Sequence, residues 1–236
     1  MKKILLMKQP AGLGDILFTY KIAKLHVDLD YKVIWPVVPV YVCLNDYLDG
    51  PVEFVDINSS FLFKEEYQRQ NLCSIVDNEK YKIIAIDGCG NGTEIMKSKY
   101  DLCHIPWEDW ANSLKLSRNL EKEKQLLQYL NPEGDPYYVV AKYMGTPPNH
   151  LNEIYIPVES DLKRIEIDFI DGYNLFDWAA VMEDAEEIHI EGSAMTYICE
   201  VLDLKASKMY LFSRDQHRHF HGLFKKPWTF RYDSLK

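Results

Sequence analysis

The run Gly12-Leu13-Gly14-Asp15 stands between a short apolar segment and a stretch of helical periodicity. Glycines at such a turn let the backbone approach a ligand closely, and the N–H groups of the helix start attract phosphate or carboxylate. Asp15 falls in the first turn of that helix, where the dipole stabilises a carboxylate. The loop lacks the third glycine of the dinucleotide fingerprint, and Trp35-Pro36 stands where that fold carries an acid, so no nicotinamide cofactor is expected. The plainer alternative is a tight turn with Asp15 as a helix-end carboxylate. His189-Ile190-Glu191-Gly192-Ser193-Ala194-Met195-Thr196 repeats the strand-to-helix pattern further along. A glycine followed by a Ser-capped helix with two hydroxyls offers the N–H groups and donors that suit a diphosphate. Here the alternative is that Ser193 only caps the helix and Glu191 is only a surface carboxylate.

Three other groups are weaker candidates. Ile83 to Thr93 has the look of a class I methyltransferase glycine loop, but Asp87 immediately precedes the first glycine, one position out of register. His217, His219 and His221 share one face of an extended segment, yet only Asp215 stands nearby to complete a zinc set, so histidines facing solvent or phosphate beside Arg214 and Arg218 are expected. Asp28-Leu29-Asp30 has the spelling of a sugar-transferase metal motif but sits at a helix end instead of after a strand.

The elements that must position these residues alternate between strand and helix. Strands are predicted at Lys3 to Met7, Lys32 to Trp35, Glu53 to Ile57 and Tyr81 to Asp87, giving an open parallel sheet in the first half. Residues 98 to 130 read as helices. Asn131-Pro132-Glu133-Gly134-Asp135-Pro136 stops any helix and is the best linker in the chain. A second α/β unit follows, with strands at Tyr137 to Ala141, Ile165 to Phe169, Glu187 to Ile190 and Lys208 to Phe212, and with helices capped by Asn174 and Ser193. The domains are therefore expected at 1–130 and 137–236, the second ending in a basic tail.

With 27 Lys+Arg against 36 Asp+Glu, the net charge of −9 disfavours a surface that wraps nucleic acid. Residues 153 to 191 hold 12 acidic and 2 basic side chains, whereas 213 to 236 hold 6 basic, 2 acidic and three histidines. No apolar run approaches the roughly 20 residues of a membrane span, and Lys2-Lys3 precede too few apolar residues for a signal peptide. Five cysteines without a C-x-x-C pair argue for reduced thiols in a cytoplasmic compartment and against a disulfide frame or cysteine zinc site.

Gly14-Asp15-Ile16-Leu17-Phe18-Thr19 resembles the G-D-x-L-x-T signature of heptosyltransferase-like glycosyltransferases of family 9. Residues 175 to 203, from Asp177-Trp178 through Ser193 to Leu202, look like that family's second-domain pattern. The family's usual D-[ST]-G-x-x-H is replaced here by Glu191-Gly192-Ser193-Ala194-Met195-Thr196, with no histidine following. The resemblance implies a compact GT-B-like arrangement of two Rossmann-like α/β domains and transfer from a nucleotide-sugar to a glycan or other hydroxyl acceptor, without a metal or resident cofactor. It makes Asp15 the base that activates the acceptor hydroxyl. Gly12, Leu13 and Gly14 are taken as part of the nucleotide-sugar site, with Glu191, Gly192, Ser193, Ala194, Met195 and Thr196 against the diphosphate and nucleotide. Lys142 falls where the family places a positive side chain near the donor phosphates. The rival readings are a non-catalytic nucleotide- or glycan-binding module of the same fold and, on residues 87 to 92, a methyltransferase.

Overall fold

The computed structural model describes residues 2–90, 94–144, 152–153, 155–213 and 222–232. The chain divides into two units, Met1–Ser117 and Arg118–Lys236.

The first unit runs β1 (Ile4–Lys8), α1 (Leu13–Asp28), β2 (Lys32–Val37), α2 (Leu44–Tyr47), β3 (Val52–Asp56), α3 (Lys64–Arg69), β4 (Ser74–Asp77), β5 (Tyr81–Ala85) and α4 (Ile95–Asp101), followed by a 3-10 turn at Trp110–Ser113. Its sheet has the order β3-β2-β1-β5-β4. Ile4, Leu5, Leu6 and Met7 are all buried, as a central strand covered on both faces requires. β1 pairs in parallel with β2 and β5, and β2 with β3. The expected all-parallel sheet is corrected at one edge, because β4 runs antiparallel to β5. Asn78 makes that hairpin, its side-chain oxygen accepting from the N–H groups of Lys80 and Tyr81 at 2.9 and 3.0 Å.

Helix α1 is buried almost all round, from Ile16 to Ala23. The Phe18 ring meets Tyr100 of α4 at 5.0 Å and Trp110 at 5.4 Å, and the Tyr100 hydroxyl donates to the Phe18 carbonyl. These contacts fasten α4 alongside α1.

The second unit opens with α5 (Leu120–Leu130) and continues through β6 (Tyr137–Ala141), β7 (Tyr143–Met144), β8 (Asn152–Glu153), β9 (Lys163–Glu166), a 3-10 turn at Leu175–Trp178, α6 (Ala179–Asp184), β10 (Glu187–Glu191), α7 (Ala194–Cys199), β11 (Lys208–Phe212) and β12 (Thr229–Arg231). Five strands form a parallel sheet of order β12-β11-β10-β6-β9. The 3-10 turn into α6 starts as expected at Asn174, whose side chain accepts from Phe176 N–H at 2.9 Å while Asp177 accepts from Asn174 N–H at 2.8 Å.

The boundary expected at 130/137 is corrected to 117/118. Helix α5 belongs to the second unit because Lys122 pairs with the buried Asp177 at 2.8 Å and Arg118 with Glu183 of α6 at 2.7 Å. The Pro- and Gly-rich segment 131–136 is a loop within that unit. No helix among the described residues is long and apolar enough to cross a membrane.

Candidate functional site

In an open parallel sheet the ligand crevice lies at the carboxyl ends of the strands, where successive connections leave in opposite directions. In the first unit the chain moves from β1 to β2 and β3 on one side, and β5 takes the other side. The reversal therefore lies between β1 and β5, which end side by side at Lys8 and Ala85. Asp15 sits at this point.

Gly12 makes the turn with φ 79°, in the left-handed region, and Ile16 N–H closes the first helical turn on its carbonyl at 3.0 Å. A Cβ on Gly12 would lie 2.6 Å from Asp15 Oδ2, so only glycine leaves room for the carboxylate to fold over the loop. The other oxygen, Oδ1, accepts from the ammonium of Lys99 on α4. Lys99 is 3% exposed, and its second acceptor is Gln9 Oε1 at 2.7 Å. Gln9 is oriented in turn, its side-chain nitrogen donating to the Ala11 carbonyl at 2.6 Å and its carbonyl accepting from the Trp35 indole at 3.0 Å. The Asp15 side chain remains 34% exposed, so a hydroxyl can reach it. Asp15 Oδ2 over the glycines gives this loop an acceptor for an incoming hydroxyl.

The opposite wall begins with the loop after β5. Asp87 N–H donates to the Lys8 carbonyl at 3.1 Å, which ties the two loops together. Gly90 lies so close to α4 that a Cβ there would stand 2.4 Å from Ser98 Oγ. Cys89 in this loop is disulfide-bonded to Cys73, with Cα atoms 4.8 Å apart. The expectation of reduced thiols throughout is thus corrected. The cysteines are 16 residues apart, and only the antiparallel pairing of β4 with β5, invisible in the sequence pattern, folds one onto the other. Cys43, Cys103 and Cys199 are free.

The second unit repeats the arrangement. From β6 the chain adds β9 on one side and β10, β11 and β12 on the other, so the reversal lies between β6 and β10. Ala141 and Ile190 are partners there, which brings Lys142 and the segment Glu191 to Thr196 to one crevice. Within that segment the expectations divide. Glu191 is fully buried on β10, not a surface carboxylate, and Met195 and Thr196 are buried too, whereas Ser193 and Ala194 are partly exposed. Ser193 occupies the cap position of α7, but its side chain makes no capping hydrogen bond. Gly192 N–H donates to the Phe212 carbonyl at 3.0 Å. Helix α7 has only six residues, so its dipole is small. Lys142 is ion-paired with Glu166 at 2.8 Å. Lys142 and then Arg164, against the cost of burial, hold the Glu166 carboxyl below its usual range.

One face of this sheet carries an unusual polar row. Glu187, His189 and Glu191 succeed each other along it, with the His189 ring stacked on Tyr210 at 4.8 Å and its Nε2 3.1 Å from Glu187.

Among the described residues no group of three or more His, Cys, Asp or Glu could hold a metal ion. Asp28-Leu29-Asp30 ends α1, and Asp30 pairs with Lys2 at 2.5 Å on the surface. His217, His219 and His221, with Arg214, Asp215 and Arg218, lie outside the described residues, as do Asn91 to Thr93 of the methyltransferase-like loop. Sequence reasoning missed Gln9 and Lys99, because nothing in the pattern Lys97-Ser98-Lys99 marks which lysine is buried.

No family model and no curated protein matches the chain. Solved structures do. The chain is similar to the glycosyl transferase family 9 structure from Veillonella parvula DSM 2008, with a TM-score of 0.56 at 9% identity, covering 97% of this chain and 85% of that one. It is also similar to the iron-containing dodecameric glycosyltransferase TibC from enterotoxigenic E. coli H10407, with a TM-score of 0.52 at 10% identity, covering 98% of this chain and 63% of that one. The chain thus spans less than two thirds of the second structure. At these identities the likeness is one of fold: two Rossmann-like α/β units, as in family 9 glycosyltransferases.

Proposed function

We propose that the protein is a glycosyltransferase that moves a sugar from a nucleotide-sugar to an acceptor hydroxyl without a metal. The observation that carries this reading is the Asp15 carboxylate, held at the strand-order reversal of the first unit and half-exposed. In the step it serves, the acceptor oxygen bonds to the anomeric carbon and its proton passes to Asp15. The bond from that carbon to the diphosphate breaks, and its electron pair leaves on the diphosphate. The first crevice takes the acceptor. The second takes the donor, around Ser193, Ala194 and Lys142, the lysine turning from Glu166 to the phosphates. The fold shared with family 9 glycosyltransferases supports the assignment.

The test is release of nucleoside diphosphate from a panel of nucleotide-sugars, with and without EDTA. Asp15→Asn keeps the shape and removes the proton acceptor, so transfer should fall by about 10² to 10⁴-fold while nucleotide affinity holds. Transfer by the variant at the wild-type rate would reject Asp15 as the base, and loss with EDTA that manganese restores would reject metal independence. A non-catalytic binding module of the same fold is favoured by one observation, the engagement of Asp15 by the buried Lys99 ammonium, which would make the carboxylate an ion-pair partner only. Nucleotide binding without transfer or donor hydrolysis by the wild type would decide for it.

A further inference from the structure

We infer that Lys99 is a positioning residue that selects Oδ2 of Asp15 as the oxygen that receives the acceptor proton. This rests on the transferase reading above. An ammonium is costly to bury, and it is tolerated where charged and hydrogen-bonding partners surround it. Lys99 is 3% exposed, and both of its acceptors, Gln9 Oε1 and Asp15 Oδ1, lie at the β1–α1 turn. The lysine comes from α4, which is anchored beside α1 by Phe18, Tyr100 and Trp110 through contacts that do not need its charge. What the charge adds is the orientation of one carboxylate.

The geometry fixes that orientation twice. Lys99 takes Oδ1, and the missing side chain of Gly12 gives Oδ2 its place, 2.6 Å from where a Cβ would stand. Gln9 cannot substitute for the acid, because its own nitrogen is turned to Ala11 and only its oxygen faces the lysine. Among the described residues Oδ2 has no hydrogen-bond donor, so a hydroxyl arriving at the exposed side of Asp15 meets a free lone pair there. Without Lys99 the carboxylate can rotate, and either oxygen can face the loop. A base misplaced by about 1 Å can cost about 10²-fold in rate.

The experiment compares Lys99→Met and Lys99→Gln with the wild type, alone and combined with Asp15→Asn. Transfer kinetics, thermal midpoint and nucleotide affinity are measured on the full chain. Lys99→Met should lower kcat about 10- to 100-fold with the acceptor KM and nucleotide affinity little changed. Lys99→Gln, which keeps an N–H for Oδ1, should recover part of the loss. In the Asp15→Asn background either change should cost no further kcat, because the carboxylate to be oriented is gone. An unchanged kcat in Lys99→Met, an additive loss in the double variant, or failure of both variants to fold would each overturn the inference in favour of a structural ion pair. A wild type that transfers no sugar would overturn the transferase reading and this inference with it, whereas an active wild type with an indifferent Lys99 overturns this inference alone.

Discussion

Arg118 lays the Nε edge of its guanidinium across the carboxylate of Glu123, at 3.0 and 3.1 Å, and turns Nη1 to Glu183 at 2.7 Å. The Glu123 side chain is 2% exposed, so the arginine is what keeps a buried carboxylate tolerable at the start of the second unit. Arg118→Met should destabilise that unit by roughly 2 to 4 kcal/mol, somewhat below the full cost of an unpaired buried charge because the guanidinium is partly solvated. Arg118→Met combined with Glu123→Leu should recover part of the loss, since the most deeply buried carboxylate is gone, while Glu183 loses its arginine and keeps the Asp203 N–H at 3.0 Å. Urea unfolding midpoints measure both, and equal losses in the single and double variants would count against the pairing.

Gly12→Ala meets two obstacles at once. The backbone stands at φ 79°, and the new methyl would lie 2.6 Å from Asp15 Oδ2. The strain should cost roughly 1 to 3 kcal/mol, seen as a lower thermal midpoint. On the proposed transferase reading, the displaced carboxylate should lower sugar transfer more than the midpoint shift alone explains. A variant that keeps both the wild-type midpoint and rate would show that the turn is not built as described.

Reduction should loosen the first unit. The Cys73–Cys89 bond joins cysteines 16 positions apart in sequence. Chain-entropy arguments assign such a loop about 3 kcal/mol, and the Cys73→Ser, Cys89→Ser double variant should lose a similar amount and ignore reductant. Alkylation of the denatured chain should label three cysteines before reduction and all five after it. Five labelled cysteines in unreduced protein purified without reductant would contradict the bond.

Stability should fall on mild acidification. Burial lowers the proton affinity of His189, and Lys208 and Arg164 add to the effect, while Glu187 pulls the other way without reversing it. Burial also lowers that of His26, reinforced by Lys82 and opposed by the bond from its Nδ1 to the Ile22 carbonyl. The unfolded chain therefore binds more protons than the native one below the ordinary histidine value of about 6.5, and stability decreases as pH falls through that point toward the lower native values. Denaturant midpoints should be level from about pH 8 to 7 and decline from 6.5 to 5. His189→Gln should flatten part of that decline, and a midpoint that rises over the same range would refute the assignment.

The strands buried on both faces were legible because a continuous apolar run needs no partner to be recognised. Tyr137–Ala141 and Lys208–Phe212 fall on the predicted residues, and Ile4–Lys8 within one. The edge strands β4 and β12 were not, since Ser74–Asp77 and Thr229–Arg231 are short and half-exposed and carry no alternation. The turn at Gly12 and Asp15 was readable from local spacing alone. Lys99 was not, because its role depends on two helices meeting side by side, and a lysine's charge in sequence says nothing of its burial. The same holds for Glu191, whose place on an inward face of β10 follows from register with β11.

The link between Asp15 and Lys99 spans 84 residues, and that from Gln9 to Lys99 spans 90. The β1, α1 and β2 segment closes over far shorter separations, as does the β4–β5 hairpin, so both can form while the chain is still largely open. The lysine can reach the carboxylate only after β5 has docked on β1 and α4 has packed on α1. The glycine turn therefore rests on local contacts and its clamp on distant ones. Slowing the docking of β5 on β1 should therefore delay the Asp15–Lys99 pair more than the turn at Gly12.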